Sequence, residues 1–312
     1  MRKLIIQTLA FFVITCGVIF LLLRWSNKQV SSKAQFVVPG NIQMIVLGHS
    51  HPECAFNDSL IANFRNFARS GESYFYTYYK IIPLLRQNKQ INTVFIEFDN
   101  NRLVEKVDGL IWGSRYISYQ YPNYGSFFDG EGNQLLFRKN WKSFINNQAL
   151  LLKKNLEAIR TGAFDLTKNT GGFIYLERDQ TDSILAARKK DPAPAAGSPF
   201  AASKNLYYLE KLIRVCRREN RKVYLVRSPL HPEFEELRNE NFFQQIRGTR
   251  FGDIEFLDFK DFPLLNTDYA NLEHLNFRGA RKFSIFFNDL LQKGLMNKVN
   301  KQEFINSEMK RE

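Results

Sequence analysis

Residues 42–51 read Ile42-Gln43-Met44-Ile45-Val46-Leu47-Gly48-His49-Ser50-His51, and this stretch decides the fold. A short apolar run of this length reads as a buried strand, and Gly48 closes it with a turn that leaves a serine between two histidines. Downstream, Asn57-Asp58-Ser59 can cap a short helix, Arg65 to Ala68 reads as a second strand ending before Ser70-Gly71, and Glu72 to Gln87 reads as a helix. Asn92 to Phe98, centred on Val94, Phe95 and Ile96, reads as a third buried strand. Strand, helix, strand, helix, strand implies a parallel sheet with crossover helices. In open sheets of this class ligands sit outside the C-terminal strand ends, which is where Ser50 falls.

The last third repeats the pattern. Leu206 to Glu219 reads as a helix, Lys222 to Val226 as a strand, Pro232 to Arg247 as a charged helix and Ile254 to Asp258 as a strand. Phe277 to Lys293 closes the domain with Phe283, Phe286, Phe287, Leu290 and Leu291 on one face. Between the halves, residues 105–203 read as a mostly helical insertion. It holds an aromatic, turn-rich stretch from Tyr116 to Tyr124, a basic helix from Trp141 to Thr161 and a Pro/Ala-rich loop from Lys190 to Ser203.

Ahead of the domain, Met1-Arg2-Lys3 precedes an apolar run from Leu4 to Leu23, closed by Arg24 and Trp25. Twenty residues at about 1.5 Å each match a bilayer core of about 30 Å. No small-x-small cleavage site follows, so an uncleaved anchor at 1–25 is favoured over a signal peptide. The expected plan is an anchor at 1–25, a polar tether at 26–40, an α/β domain at 41–295 and a charged, fraying tail at 296–312. A short N-terminus held in the cytoplasm of a bacterium places that domain in the periplasm, on a single-pass inner-membrane protein.

Lys plus Arg is 44 and Asp plus Glu is 31 in 312 residues, so the formal net charge is 44 − 31 = +13. With 44% hydrophobic residues, disorder is excluded as the main state. Three cysteines with no Cys-x-x-Cys pair exclude a disulfide scaffold and argue against structural zinc. The charge invites nucleic acid, but no basic recognition helix or binding motif accompanies it. Attraction to an anionic membrane or envelope polymer fits the anchor better.

Ser50 can act as an exposed nucleophile, with its own N–H as an oxyanion donor. Asn271-Leu272-Glu273-His274-Leu275-Asn276-Phe277-Arg278-Gly279-Ala280 precedes the closing helix and puts His274 at the same sheet edge as a general base. Gly71 follows the second strand, and Asn100 and Asn101 follow the third. These blocks, in this order, resemble the SGNH (GDSL-like) hydrolase family over residues 42–104 and 204–292. The stretch Gly48 to Lys80 is similar to membrane-anchored members from Bacteroidetes-type bacteria.

The resemblance implies a three-layer flavodoxin-like fold and a Ser50–His274 acyl-enzyme mechanism with Ser50, Gly71 and Asn100 or Asn101 as oxyanion donors. It also implies esterase or O-acyltransferase action on acylated envelope polysaccharide without metal or cofactor, beside a membrane-bound O-acyltransferase. Two departures stand out. His49 replaces the family's Asp, and Asn271 occupies the position of the triad acid, where its NH₂ can impose the wrong imidazole tautomer. The acid is therefore Asp268, a backbone carbonyl, or absent, and a catalytically degenerate scaffold that binds glycans or docks on an acyltransferase is the alternative. His49, Arg69 and His231 are candidate substrate contacts. His49, His51, Glu53 and Cys54 also invite a metal reading, which Pro52 weakens by breaking a regular strand.

Overall fold

Five strands form one parallel sheet: β1 (Met44–Leu47), β2 (Phe64–Asn66), β3 (Thr93–Glu97), β4 (Lys222–Arg227) and β5 (Glu255–Asp258). Their spatial order is β2-β1-β3-β4-β5, with Met44 opposite both Phe64 and Thr93, Thr93 opposite Lys222, and Tyr224 opposite Glu255. The order reverses between β1 and β3, so the crevice of the fold lies beyond the ends of these two strands. This is a computed structural model, and it describes residues 1–190 and 201–311.

The helices are α1 (Arg2–Lys33), α2 (Ser50–Ala55), α3 (Tyr74–Gln87), α4 (Gly109–Trp112), α5 (Ser114–Tyr124) and α6 (Gly130–Thr161). They continue with α7 (Thr181–Lys190), α8 (Ser203–Arg218), α9 (Glu240–Arg250), α10 (Phe277–Gln292) and α11 (Lys301–Met309). The chain divides into two units, Met1–Phe36 with Trp112–Asn169, and Val37–Ile111 with Thr170–Glu312.

The sheet lies in the second unit. Side chains alternate across it: Val46, Phe95, Tyr224, Val226 and Leu257 share a core with Phe283, Phe286, Phe287 and Leu290 of α10 and Ile305 of α11. Ile45, Val94, Ile96 and Leu225, of the opposite parity, are also fully buried, on the side where α8 packs against β4 and α3. Burial on both faces is why these strands read as continuous apolar runs.

The structure differs from the sequence reading at six places. The residues expected to be a tether continue α1 to Lys33, with Ser26 and Val30 buried. The expected fraying tail contains α11, where Gln302 accepts from Asp258 N at 2.8 Å and donates to Asp258 O at 2.9 Å. The segment after Asn57 is a single 3₁₀ turn, Asp58–Leu60, capped as expected by Asn57. The charged helix begins at Glu240, behind a 3₁₀ turn at Glu235–Asn239. Tyr116–Tyr124 is helical within α5 rather than turn-rich. The first unit takes only Trp112–Asn169 of the expected insertion. Most of the Lys190–Ser203 loop lies outside the described residues.

Behind the β2 turn, Lys80 is fully buried against Glu72, with Nζ 2.5 Å from Oε1, and donates to Phe67 O and Thr170 O at 2.6 and 3.0 Å. Burial lowers the Lys80 pKa from its ordinary value, and Glu72 opposes that shift. Lys80→Met leaves the Glu72 carboxylate buried without its cation, so we expect it to lose about 3–5 kcal/mol in urea unfolding; a loss below about 1 kcal/mol contradicts a buried ion pair here.

Candidate active site

The site is built on the turn between β1 and α2. Gly48 sits at φ +156°, and a Cβ there would lie 2.5 Å from Glu97 Cβ and 2.8 Å from Pro52 Cγ. Only glycine fits so close to β3, and that closeness puts His49, Ser50 and His51 against the end of β3. The His49 backbone N–H donates to Glu97 Oε2 at 2.5 Å. Gly279 performs the same service for the His274 loop: a Cβ there would clash with Asp268 O.

His274 Nε2 lies 2.7 Å from Ser50 Oγ. Its other nitrogen, Nδ1, lies 3.1 Å from Asn271 Oδ1, which also accepts the backbone N–H groups of Glu273 and His274, both at 2.9 Å. Two backbone donors fix that end of the amide as oxygen. Nδ1 therefore carries the proton, Nε2 is bare, and the Ser50 hydroxyl donates to it. The expected wrong-tautomer effect of Asn271 is thus corrected: its backbone partners turn the oxygen toward the ring. Asp268 is not the acid. It is buried, and its Oδ2 accepts from Leu265 N at 3.0 Å and Lys282 Nζ at 2.7 Å.

His49 Nδ1 lies 2.8 Å from the same Ser50 Oγ. The hydroxyl has one proton, already given to His274, so His49 must donate from Nδ1 to an Oγ lone pair. Burial, helped by Arg102 and His51, pushes the His49 pKa well below the ordinary histidine range, so the ring is neutral. Ser50 is therefore held between an acceptor and a donor. His49 was expected to contact substrate; its ring nitrogen is bonded to Ser50 Oγ.

The sequence reading missed the group behind this pair. His51 Nδ1 lies 2.6 Å from Asp99 Oδ2, both side chains being essentially inaccessible. Burial opposes the imidazolium, yet Asp99, with Glu97 behind it, raises the His51 pKa to about 9. Burial and the Asp99 charge push Glu97 up to about 8, while His51 and Arg102 hold Asp99 below its ordinary value against the effect of burial. Glu97 Oε1 and Asp99 Oδ1 are buried without other partners. A proton on Glu97 directed at Asp99 satisfies both, as the raised Glu97 pKa requires.

The Asn101 amide lies 3.3 Å from His51 Nε2, and its Oδ1 is otherwise buried and unsatisfied. With Nε2 protonated, the oxygen end of that amide is the matching partner. Asn101 therefore joins the site. Asn100 does not: it donates to Glu240 at 2.9 Å and accepts from Arg227 at 2.8 Å, within an ion cluster completed by Asp258.

The ring of His274 stands 5.4 Å from that of His51. Burial first, then the His51 and Arg178 charges, lower the His274 pKa to about 3. Gly71 turns the chain after β2 at φ +71°, beside Ser70, whose N–H and hydroxyl both reach Glu53 Oε2, the former at 2.8 Å. Burial raises Glu53 to about 7. The backbone N–H of Arg69 donates to Gly48 O at 3.0 Å, tying the β2 turn to the turn that carries Ser50. His231 is committed elsewhere, Nε2 to Asn266 at 3.1 Å and Nδ1 to Glu233 N at 3.1 Å.

His51-Glu97-Asp99 and His51-Glu273-His274 are the groups whose spacing suits a cation among the described residues. The disfavoured metal set of His49, His51, Glu53 and Cys54 is not among these groups, and Glu53 turns to Ser70. In the first group Arg102, 3.8 Å from Glu97, already supplies a cation, and the His51 proton occupies the nitrogen a metal would need.

A family model for an uncharacterised family matches residues 175–296, the stretch carrying β4, β5, the His274 loop and α10. A search of curated proteins gives no significant match.

Proposed function

We propose that the chain is a membrane-anchored serine esterase or O-acyltransferase of SGNH type, acting in the periplasm on acyl groups of envelope polysaccharide. The observation that carries this reading is the Ser50 Oγ–His274 Nε2 contact of 2.7 Å with the tautomer fixed by Asn271. The β2-β1-β3-β4-β5 order, which is that of flavodoxin-like sheets, supports the fold assignment. Helix α1 has a window of mean hydropathy 2.5 and is long enough to cross a membrane, which supports the anchor.

In this mechanism Ser50 attacks the acyl carbonyl and its proton passes to His274 Nε2. The amide oxygen of Asn271 orients the ring as the third group of a triad does, without a full charge to stabilise the imidazolium. Burial first, and then the His51 cation, make His274 a weak base in the resting site. Negative charge developing on the tetrahedral intermediate offsets that cation, so the proton affinity of His274 rises as the intermediate forms. Ser50 N–H, Gly71 N–H and Asn101 are the proposed oxyanion donors. The leaving hydroxyl takes the proton back from His274. Water or a glycan hydroxyl then attacks the acyl-Ser50 ester, giving hydrolysis or transfer.

A non-catalytic scaffold for a membrane acyltransferase is the second reading, favoured by Asn271 in place of a carboxylate. A fluorophosphonate probe on the detergent-solubilised full chain separates the two. We expect a covalent adduct on the peptide containing Ser50, formed at pH 5 as readily as at pH 7 because His274 remains unprotonated well below neutrality. A folded chain that gains no adduct supports the scaffold.

A further inference from the structure

Between Thr170 and α7 the chain runs without regular structure, and backbone hydrogen bonds fix its path across the candidate site. It starts at the β2 turn, where Thr170 O accepts from the buried Lys80 at 3.0 Å and the Gly172 N–H donates to Ala68 O at 3.1 Å. Gly171, at φ +121°, lies so close to Phe67 O and Ala68 O that a Cβ has no room there. The Ile174 N–H then donates to Glu53 O on α2 at 3.0 Å. Leu176 O accepts from the Phe277 N–H at 2.9 Å, and the Gln180 N–H donates to Ala270 O at 3.1 Å. This strap therefore joins the turn holding Gly71, the helix headed by Ser50 and the loop carrying His274, all within the second unit.

The last two bonds place one residue. Leu176 and Gln180 bracket Arg178 as Phe277 and Ala270 bracket His274, and the two stretches run antiparallel, so Arg178 lies opposite the His274 loop. Arg178 is exposed, and its guanidinium has no hydrogen-bond or ion-pair partner among the described residues. Its neighbour Asp179 is taken by Arg278 at 2.9 Å. Glu273, the acid of the His274 loop, is grouped with His51 and His274, one ligand atom of each lying within 4.8 Å of the others. The Arg178 charge is felt on both sides of Ser50. After burial and His51 it lowers His274, and at Cys54, one turn of α2 beyond Ser50, it opposes the rise imposed by burial and Glu53.

Tyr175 is the second exposed group on the strap. Its ring stacks on that of Phe277, three residues past His274, with centroids 4.8 Å apart and planes at 20°, yet it remains 57% exposed. Phe173, two residues earlier, is partly buried against the core that α10 shares with the sheet. A ring held flat by a second ring, with its outer side in water, suits the apolar C–H face of a sugar. An unpaired guanidinium beside it suits a carboxylate or phosphate, which it can bind through two parallel N–H donors.

We propose that the strap is the substrate wall of the site, with Tyr175 stacking on a sugar ring and Arg178 binding an anionic group, carboxylate or phosphate, of the acylated glycan. This rests on the site accepting an acylated glycan, and it narrows that class to acidic polymers. An anion on Arg178 also offsets a cation that weakens His274 as a base.

The test uses three O-acetylated methyl hexosides on the detergent-solubilised full chain: one neutral, one with a C6 carboxylate and one with a C6 phosphate. Acetate release gives kcat/KM, and titration calorimetry with Ser50→Ala gives binding without turnover. We expect one anionic hexoside to exceed the neutral one by about 10-fold or more in both, the least that one charge-assisted contact contributes; the better of the two identifies the anion. Arg178→Gln brings that ratio to about one, and Arg178→Lys keeps part of it. Tyr175→Ala weakens binding of all three hexosides, whereas Tyr175→Phe does not. Turnover at equal kcat/KM for all three, or a preference that survives Arg178→Gln, overturns the wall while leaving the esterase. Preferential binding without turnover, abolished by Arg178→Gln, supports the wall and overturns the esterase. Neither binding nor turnover of any hexoside overturns both.

Discussion

We expect Ser50→Ala to lower the proposed ester turnover by about 10⁴-fold or more, with near-UV circular dichroism unchanged. The size follows from the geometry: Ser50 Oγ lies within hydrogen-bond reach of both His274 and His49, so its loss removes the nucleophile and the group on which both rings converge. His274→Ala has an effect of the same order. The double variant is hardly worse than either single one, because nucleophile and base act as one unit. A Ser50→Ala protein that keeps more than about a tenth of the activity places the chemistry elsewhere.

We expect thermal stability to fall as pH rises from 6.5 to 9. His51 titrates near 9 in the folded state against an ordinary 6.5, so its contribution is complete below 6.5 and is lost as pH rises through 9. Glu97, near 8, and Glu53, near 7, hold protons that unfolded carboxyls have released above 4.5, and they add to the decline. His274, near 3, works oppositely, but only between pH 3 and 6.5. One pKa unit is worth about 1.4 kcal/mol, so His51 alone accounts for about 3 kcal/mol, or roughly 5–10 °C in Tm for a domain of this size. Scanning calorimetry of the solubilised chain checks the slope. A Tm that is level from pH 6.5 to 9 rules out the buried imidazolium.

β1, β3 and β4 were legible because each holds an apolar run, as in Ile45-Val46-Leu47 before Gly48, while the short β2 (Phe64-Arg65-Asn66) and β5 (Glu255-Phe256-Leu257-Asp258) were legible from their place in the alternation with helices. Ser50 and His274 were legible because strand ends in a parallel sheet converge. Asn271 was legible as a position but not as an orientation: which end of its amide faces His274 is set by two backbone N–H groups that exist only once the loop has folded. The pairing of His51 with Asp99 escaped notice because nothing in Ser50-His51-Pro52 or Phe98-Asp99-Asn100 announces that β1 and β3 will bring the two within 2.6 Å. The tether was misread because Ser26 to Lys33 is polar in sequence, and its helix is held by partners distant along the chain, chiefly Asn155.

The Gln302 side chain has a consequence of another kind. β5 is the last strand of the sheet, and an edge strand offers unpaired N–H and C=O groups to any extended chain that arrives. By bonding both the N–H and the C=O of Asp258, Gln302 imitates the backbone of a sixth strand with a single amide. α11 thus closes the sheet edge at Asp258, so that an extended segment of another chain meets a side-chain amide there instead of free backbone groups.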